Sequence, residues 1–228
     1  MKTPLIGVIG GMGTSATAAF YEKLHSIQDV AKEQEYVDVL LYSKPSIPDR
    51  TAFILGKSKE SPTRALLEAA KSLEVARVTV IAMPCISSYS FYDELTREVR
   101  TKIINLPGEV AKYTKSEGIK EVGLLATEGT IKTGVLQSKF EAEGIKTVAL
   151  ESKTQAKLTK IIYGIKKGGK PQGKLPTEIT DELMNKGVEK IVLGCTELCF
   201  GSFEDESYIN VLDILATATL RECLMGRH

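Results

Sequence analysis

Two cysteines stand where short apolar runs stop. Val78-Thr79-Val80-Ile81-Ala82-Met83-Pro84 closes on Cys85, and Lys190-Ile191-Val192-Leu193-Gly194 closes on Cys195. Short β-branched runs of this kind read as buried strands, so each thiol is expected at the carboxyl end of a strand. Ile86-Ser87-Ser88-Tyr89 follows the first cysteine and Thr196-Glu197-Leu198 the second. A free cysteine is ordinarily a small buried hydrophobe. Cys223, on an apolar helix face, reads that way, and Cys199 is left undecided. At a strand end, near helix N-termini and a cation, a thiol's pKa falls toward neutrality and the group becomes available for acid–base work. Two such thiols on opposite sides of one carbon suit inversion of a stereocentre beside a carboxylate. One removes a proton from one face while the other delivers a proton to the opposite face, so one must be thiolate while its partner is thiol.

The elements that would position these thiols are also duplicated. Leu5-Ile6-Gly7-Val8-Ile9-Gly10-Gly11-Met12-Gly13-Thr14 is a strand running into a Gly-Thr turn, and Val122-Gly123-Leu124-Leu125-Ala126-Thr127-Glu128-Gly129-Thr130 repeats it. Between and after them strands alternate with helical periodicity. Helices are expected from Ser15, from Ser61-Pro62, from about Ser90 through Val99, from near Pro107 to a cap at Gly118, over 131–143, 154–165 and 175–185, and over 213–224. Residues 43–50 read as a proline-bounded loop and 168–173 as a mobile turn. Such alternation predicts parallel βαβ units with right-handed crossovers. The expected architecture is α/β: two similar Rossmann-like parallel-sheet domains related by a pseudo-twofold axis, with the site in the cleft between them. Residues 1–104 plus 212–228 form one unit, the last helix packing back on the first half, and residues 105–211 form the other. Ligands in such sheets sit outside the carboxyl ends of the strands, where both turns and both thiols are expected.

Composition narrows the function classes. With 228 residues, 43% hydrophobic and 26% charged, the chain has the make-up of a globular protein with a sizeable core. A net charge of +1 provides no field favouring nucleic acid or an anionic membrane. No apolar run approaches the roughly 20 residues of a membrane span, and no signal-peptide core precedes the first strand, so a cytoplasmic location with reduced thiols is expected. Four cysteines without zinc-ribbon spacing, and histidines only at His25 and His228, predict neither a disulfide framework nor a metal site.

Gly11-Met12-Gly13-Thr14-Ser15-Ala16 fits a dinucleotide-binding turn in form. The second strand, however, ends in Tyr42-Ser43-Lys44 and lacks the acid such a site needs. The turn is instead expected to offer backbone N–H groups to a carboxylate. Arg50 carries a planar fork of donors suited to a carboxylate, although an arginine in a loop is more often solvated. Lys166 reads equally well as a cation closing a helix. Hydroxyls from Ser87, Thr127, Thr130 and Thr196 are candidates to meet negative charge developing on a substrate.

On these residues the chain resembles the cofactor-independent aspartate/glutamate racemase family, in its aspartate racemase-like branch. The resemblance runs through Ile6 to Gly13, Ile47-Pro48-Asp49-Arg50-Thr51, Ala82-Met83-Pro84-Cys85, Phe91-Tyr92-Asp93-Glu94-Leu95, Val122 to Thr127, Ile162-Tyr163-Gly164-Ile165-Lys166 and Leu193-Gly194-Cys195-Thr196-Glu197. It implies interconversion of L- and D-amino acids without pyridoxal phosphate or any other cofactor, in a protein that is usually a homodimer. It places Cys85 and Cys195 on the catalytic pair and Arg50 and Lys166 on the substrate-anchoring cations. Ile86, Ser87 and Ser88 fall on the substrate-contacting loop, and Met12, Thr127, Thr130 and Thr196 join them as substrate-binding positions. The departure is in that loop. The family reads Cys-Asn-Thr-Ala-His where this chain has Cys85-Ile86-Ser87-Ser88-Tyr89, which implies altered or broadened specificity. Beside an acidic amino acid racemase, the sequence leaves open a hydantoin racemase-like or maleate isomerase-like enzyme, and a non-catalytic module that binds a dicarboxylate.

Overall fold

The structure, a computed structural model, describes residues 4–168, 175–200 and 206–225. The first half contains β1 (Leu5–Gly10), α1 (Thr14–Ser26), β2 (Asp38–Ser43), α2 (Arg50–Ile54), α3 (Thr63–Val75), β3 (Val80–Ala82), α4 (Tyr92–Glu98), β4 (Lys102–Ile103) and α5 (Leu106–Ser116). The second half continues with β5 (Glu121–Leu124), α6 (Glu128–Thr133), α7 (Gln137–Ala142), β6 (Lys146–Val148), α8 (Ser152–Lys166), α9 (Thr177–Met184), β7 (Lys190–Leu193), β8 (Tyr208–Asn210) and α10 (Val211–Met225). Short 3-10 helices at Ile86–Phe91 and Thr196–Leu198 follow β3 and β7.

The strands form two four-stranded sheets, ordered β2-β1-β3-β4 and β6-β5-β7-β8, with every pairing parallel. The order is the same in both halves, as the duplicated sequence pattern predicts. In each sheet the chain leaves the first strand for the edge and then returns to its other side. The crevice at the carboxyl ends of β1 and β3, and of β5 and β7, is therefore the switch point at which open α/β sheets take ligands. The Gly-Thr turn ends β1 and Cys85 follows β3, while the Thr127–Thr130 turn ends β5 and Cys195 follows β7.

Alternation along the buried strands distributes their side chains. Ile191 and Leu193 of β7 join the cluster with Leu158 and Ile162 of α8 and Ile179 and Leu183 of α9. Val192 between them joins the larger core, which runs through the first sheet, α5 and α10. The last helix packs against α1, β1, β3 and α5. Its apolar residues Leu212, Leu215, Ala216 and Cys223 are buried there, so Cys223 is a core residue.

Local structure departs from the sequence expectation at four places. The single helix expected over 131–143 is two, α6 and α7, because Gly134 takes a left-handed φ of 66° and ends α6. The proline-bounded loop closes in a short helix, α2, whose first turn is capped by Asp49, its side chain accepting from the Ala52 amide at 2.7 Å. The helix expected from Ser90 through Val99 is a 3-10 turn up to Phe91 followed by α4, which stops at Glu98. Tyr208–Asn210 adds a strand too short for periodicity to reveal. The turn expected at 168–173 lies, beyond Gly168, outside the described residues, as does His228. Among the described residues, no helix is long and apolar enough to cross a membrane.

Candidate active site

Gly11 makes the first turn possible. It has a φ of 90°, and a Cβ there would lie 2.5 Å from the backbone of Lys44. Close packing of the turn against the chain that follows β2 accounts for this glycine. The Gly11 amide donates to the Thr17 hydroxyl at 2.9 Å. The Gly13 amide, at the entrance to α1, donates to a carboxylate as expected, but that carboxylate is the protein's own Glu197, with Oε1 at 3.1 Å.

Cys85 is buried at the end of β3. Its Sγ lies 3.5 Å from the Ser87 hydroxyl. Burial pushes the thiol up, but the charges of Arg50 and Lys166, with hydrogen bonds from Ser87 and Ser88, outweigh it and hold Cys85 below the ordinary thiol value. Cys195, equally buried, meets the opposite surroundings. Its Sγ donates to Glu197 Oε2 at 3.0 Å. Burial and then the Glu197 charge push this thiol well up, and Lys166 offsets them only in part. Cys199, four residues on, donates to the Leu193 carbonyl at 3.5 Å and is pushed up to about 12 by burial. It has the surroundings of a structural thiol.

Arg50 is 6% exposed, not a solvated loop residue. Its position at the start of α2 lets Nη1 donate to the carbonyls of Ile47 and Pro48 at 3.1 and 2.9 Å, and Nη2 to that of Met12 at 3.3 Å. Its Nε is buried without a partner in the protein. Lys166 closes α8 and projects inward, with Nζ 3.9 Å from Glu197 Oε1 and 5.5 Å from the centre of the Tyr163 ring. Burial alone would lower its pKa, but Glu197, Cys195 and Cys85 together raise it, so it stays charged. One buried cation thus lies in the field of both thiols.

The two halves are tied at this point. Thr196, after Cys195, donates its hydroxyl to the carbonyl of Pro84, before Cys85, at 3.1 Å. Thr51 donates to Thr127 at 3.0 Å, and Thr127 and Thr130 share a 3.1 Å hydroxyl contact. Tyr163 of α8 donates to Asp49 at 3.0 Å. The Thr196 hydroxyl also lies 3.5 Å from Glu197 Oε2, so it joins the two thiol loops and stands beside the carboxylate of the second. Ser88 donates to the sulfur of Met12 at 3.2 Å, which fixes the serine loop against the glycine turn. Ile86 is buried in the apolar core. Tyr89 is buried too, its hydroxyl donating to the Met83 carbonyl at 3.2 Å, and burial raises its pKa far from any acid–base use.

Sequence reasoning missed one residue: Glu197, 2% exposed, whose carboxylate gathers Cys195, Gly13 and Lys166. The available signal was an acidic side chain in a turn that follows a buried strand end, where a charge is retained only with partners.

The chain is 23% identical over 216 residues to the broad specificity amino-acid racemase RacX of Bacillus subtilis, spanning 92% of each protein. Among solved structures it superimposes on the aspartate racemase of Picrophilus torridus with a TM-score of 0.83 and 28% identity, covering 96% of this chain and 94% of that one. An aspartate racemase homologue from Pyrococcus horikoshii shares the fold, with a TM-score of 0.77 at 23% identity over 98% of this chain and 100% of the other. Residues 9–219 match the Asp/Glu/Hydantoin racemase family. Two repeated parallel sheets, with a cysteine at the same strand end of each, belong to a chain that is a member of the Asp/Glu/hydantoin racemase family.

Proposed function

We propose that this protein is a cofactor-independent amino acid racemase in which Cys85 and Cys195 exchange protons with the α-carbon from opposite faces. The observation that carries the reading is that two buried thiols, at equivalent strand ends of two halves, lie in the field of one cation, Lys166, and differ in their preferred protonation. Residues 1–104 with 212–228, and residues 105–211, would act as the two units that present them.

The Cys85 thiolate takes the α-proton and becomes a thiol. The electron pair left on carbon is delocalised into the substrate carboxylate. Cys195 then delivers its own proton to the opposite face and becomes the thiolate. Positive charge from Lys166, together with hydroxyls of Ser87 and Thr130, would stabilise the intermediate more than the ground state, because the added charge develops only there.

Aspartate or glutamate is the proposed substrate, with Arg50 taking the side-chain carboxylate. The buried, unpartnered Nε of Arg50 and the likeness to the Picrophilus torridus aspartate racemase support this choice. Ile86, which offers no polar contact, would relax selectivity, in keeping with the likeness to a broad specificity racemase.

Proton NMR in D2O with a panel of L-amino acids tests the proposal. Loss of the α-hydrogen signal that disappears in both Cys85→Ser and Cys195→Ser is the expected result. No exchange across the panel, with thermal stabilisation by a dicarboxylate, would overturn it in favour of a binding module or an isomerase of a different acid.

A further inference from the structure

The carboxylate beside Cys195 has no counterpart beside Cys85. Glu197 Oε1 receives the Gly13 amide at 3.1 Å and faces Lys166 Nζ at 3.9 Å, and both of these groups are donors. An amide hydrogen bond and a nearby ammonium both favour a carboxylate at this position, and a carboxylate only accepts hydrogen bonds. In the 3.0 Å contact between Cys195 and Glu197, Sγ is accordingly the donor and Oε2 the acceptor. At Cys85 the neighbour is a hydroxyl, Ser87 at 3.5 Å, which donates to a thiolate as readily as it accepts from a thiol.

We propose that Glu197 is a positioning residue that keeps Cys195 protonated in the resting site, so that the pair is poised with Cys85 as the base and Cys195 as the acid. This rests on the two-thiol reading above and adds to it the origin of the asymmetry between the thiols. The balance in one turnover is simple. The proton on Cys195 is lost to carbon and one from carbon is gained by Cys85, so the site ends with the thiolate next to Glu197. Two anions then lie side by side with Lys166 as their cation, and the site resets by taking a proton from water onto Cys195 and releasing one from Cys85. The two enantiomers are equal in free energy, so kcat/KM is the same in both directions. The asymmetry therefore appears in the pH profile and in no directional preference.

The ionisable groups around Glu197 are Cys195 and Cys199 on its own loop and Lys166 from α8, with Arg50 and Cys85 also acting on Lys166. Burial and the Glu197 charge raise Cys195, so removing that charge lowers it. The thiolate ultraviolet absorbance of Cys85→Ser is titrated with and without Glu197→Gln, against Cys85→Ser/Cys195→Ser as background. This reports Cys195 without turnover. The expected result is a Cys195 midpoint lower by about one pH unit or more, or roughly tenfold more thiolate at a fixed pH. Glu197→Asp should restore the high midpoint, and the alkaline limb of kcat/KM should shift down with the glutamine. A midpoint that does not move overturns the proposal. Should Glu197→Gln not fold, Cys85→Ser and Cys195→Ser titrated separately provide the second check, and a Cys195 midpoint at or below that of Cys85 overturns it. Absence of α-hydrogen exchange in the wild type would instead overturn the racemase reading and leave these titrations standing.

Discussion

Cys85 and Cys195 leave equivalent strands, β3 and β7, and enter equivalent 3-10 turns, yet their side chains meet opposite charges. The first is approached by Arg50 from α2 and by Lys166, and its turn continues with uncharged Ser87 and Ser88. The second shares Lys166, but its turn supplies Glu197. The repeated strand order accounts for the placement of the thiols, and Arg50 on one side with Glu197 on the other accounts for their difference. A symmetric pair of independent thiols holds one proton between them at most half of the time, and only near their common pKa. An asymmetric pair spends more of its time with one of each, the only arrangement from which proton removal and delivery both proceed.

The largest effect that would break this comparison is loss of either thiol. Cys85→Ser and Cys195→Ser are each expected to lower racemisation about 10³-fold or more, since a serine hydroxyl neither ionises nor donates at the required pKa. Loss from only one of the two would show that the halves are not partners in one reaction. Arg50→Met comes next. Arg50 is the largest influence lowering Cys85, so removing it raises that pKa. The base works as thiolate and is lost as pH falls through its pKa, so the acidic limb of the kcat/KM profile should move to higher pH. At neutral pH the loss should be about tenfold or more. Arg50→Lys, which keeps the charge without the fork, should retain more of the low-pH activity than methionine does. An unmoved acidic limb in Arg50→Met would mean that Lys166 and the serines hold Cys85 low without it.

The comparison also shows what can be read from a sequence of this kind. Strand ends were legible because buried parallel strands are continuous apolar runs that stop abruptly, and the repeat was legible because both runs stop on cysteine. The cations were legible only by resemblance. Nothing in the local sequence distinguishes Arg50, buried by the return of α2 onto the glycine turn, from a solvated arginine. Glu197 was hidden for a similar reason. Its partners are distant in sequence: Lys166 comes from α8 of the same half, and Gly13 reaches it only when the two halves dock. The break between α6 and α7 rests on Gly134, because an isolated glycine inside a helical pattern reads either as tolerated or as a cap.

Smaller effects are expected where the turns of the two halves are compared. A Cβ on Gly13 would meet Glu197 Oε1 at 3.0 Å, the end of a side chain, whereas one on Gly129 would meet the Cα of Thr51 at 2.9 Å, a backbone atom. A side-chain end can swing aside, but a backbone cannot. Gly129→Ala should therefore push α6 away from α2 and cost about 1–3 kcal/mol of stability in urea unfolding. Gly13→Ala should unfold nearly as wild type while moving the carboxylate beside Cys195.

Thr51→Ala isolates the bond across that same contact. It removes the 3.0 Å donation to Thr127 but leaves Thr127 bonded to the Thr130 amide at 3.2 Å, so no buried group is stranded. The expected loss is thus at the low end for a buried hydrogen bond, about 1 kcal/mol. Because Thr51 adjoins Arg50 and the substitution leaves the α2 backbone in place, the acidic limb of the pH profile should stay where it is. A shifted limb would show that the Thr51–Thr127 bond sets the reach of Arg50 to Cys85, and that the charge difference between the two thiols depends on how the halves are joined.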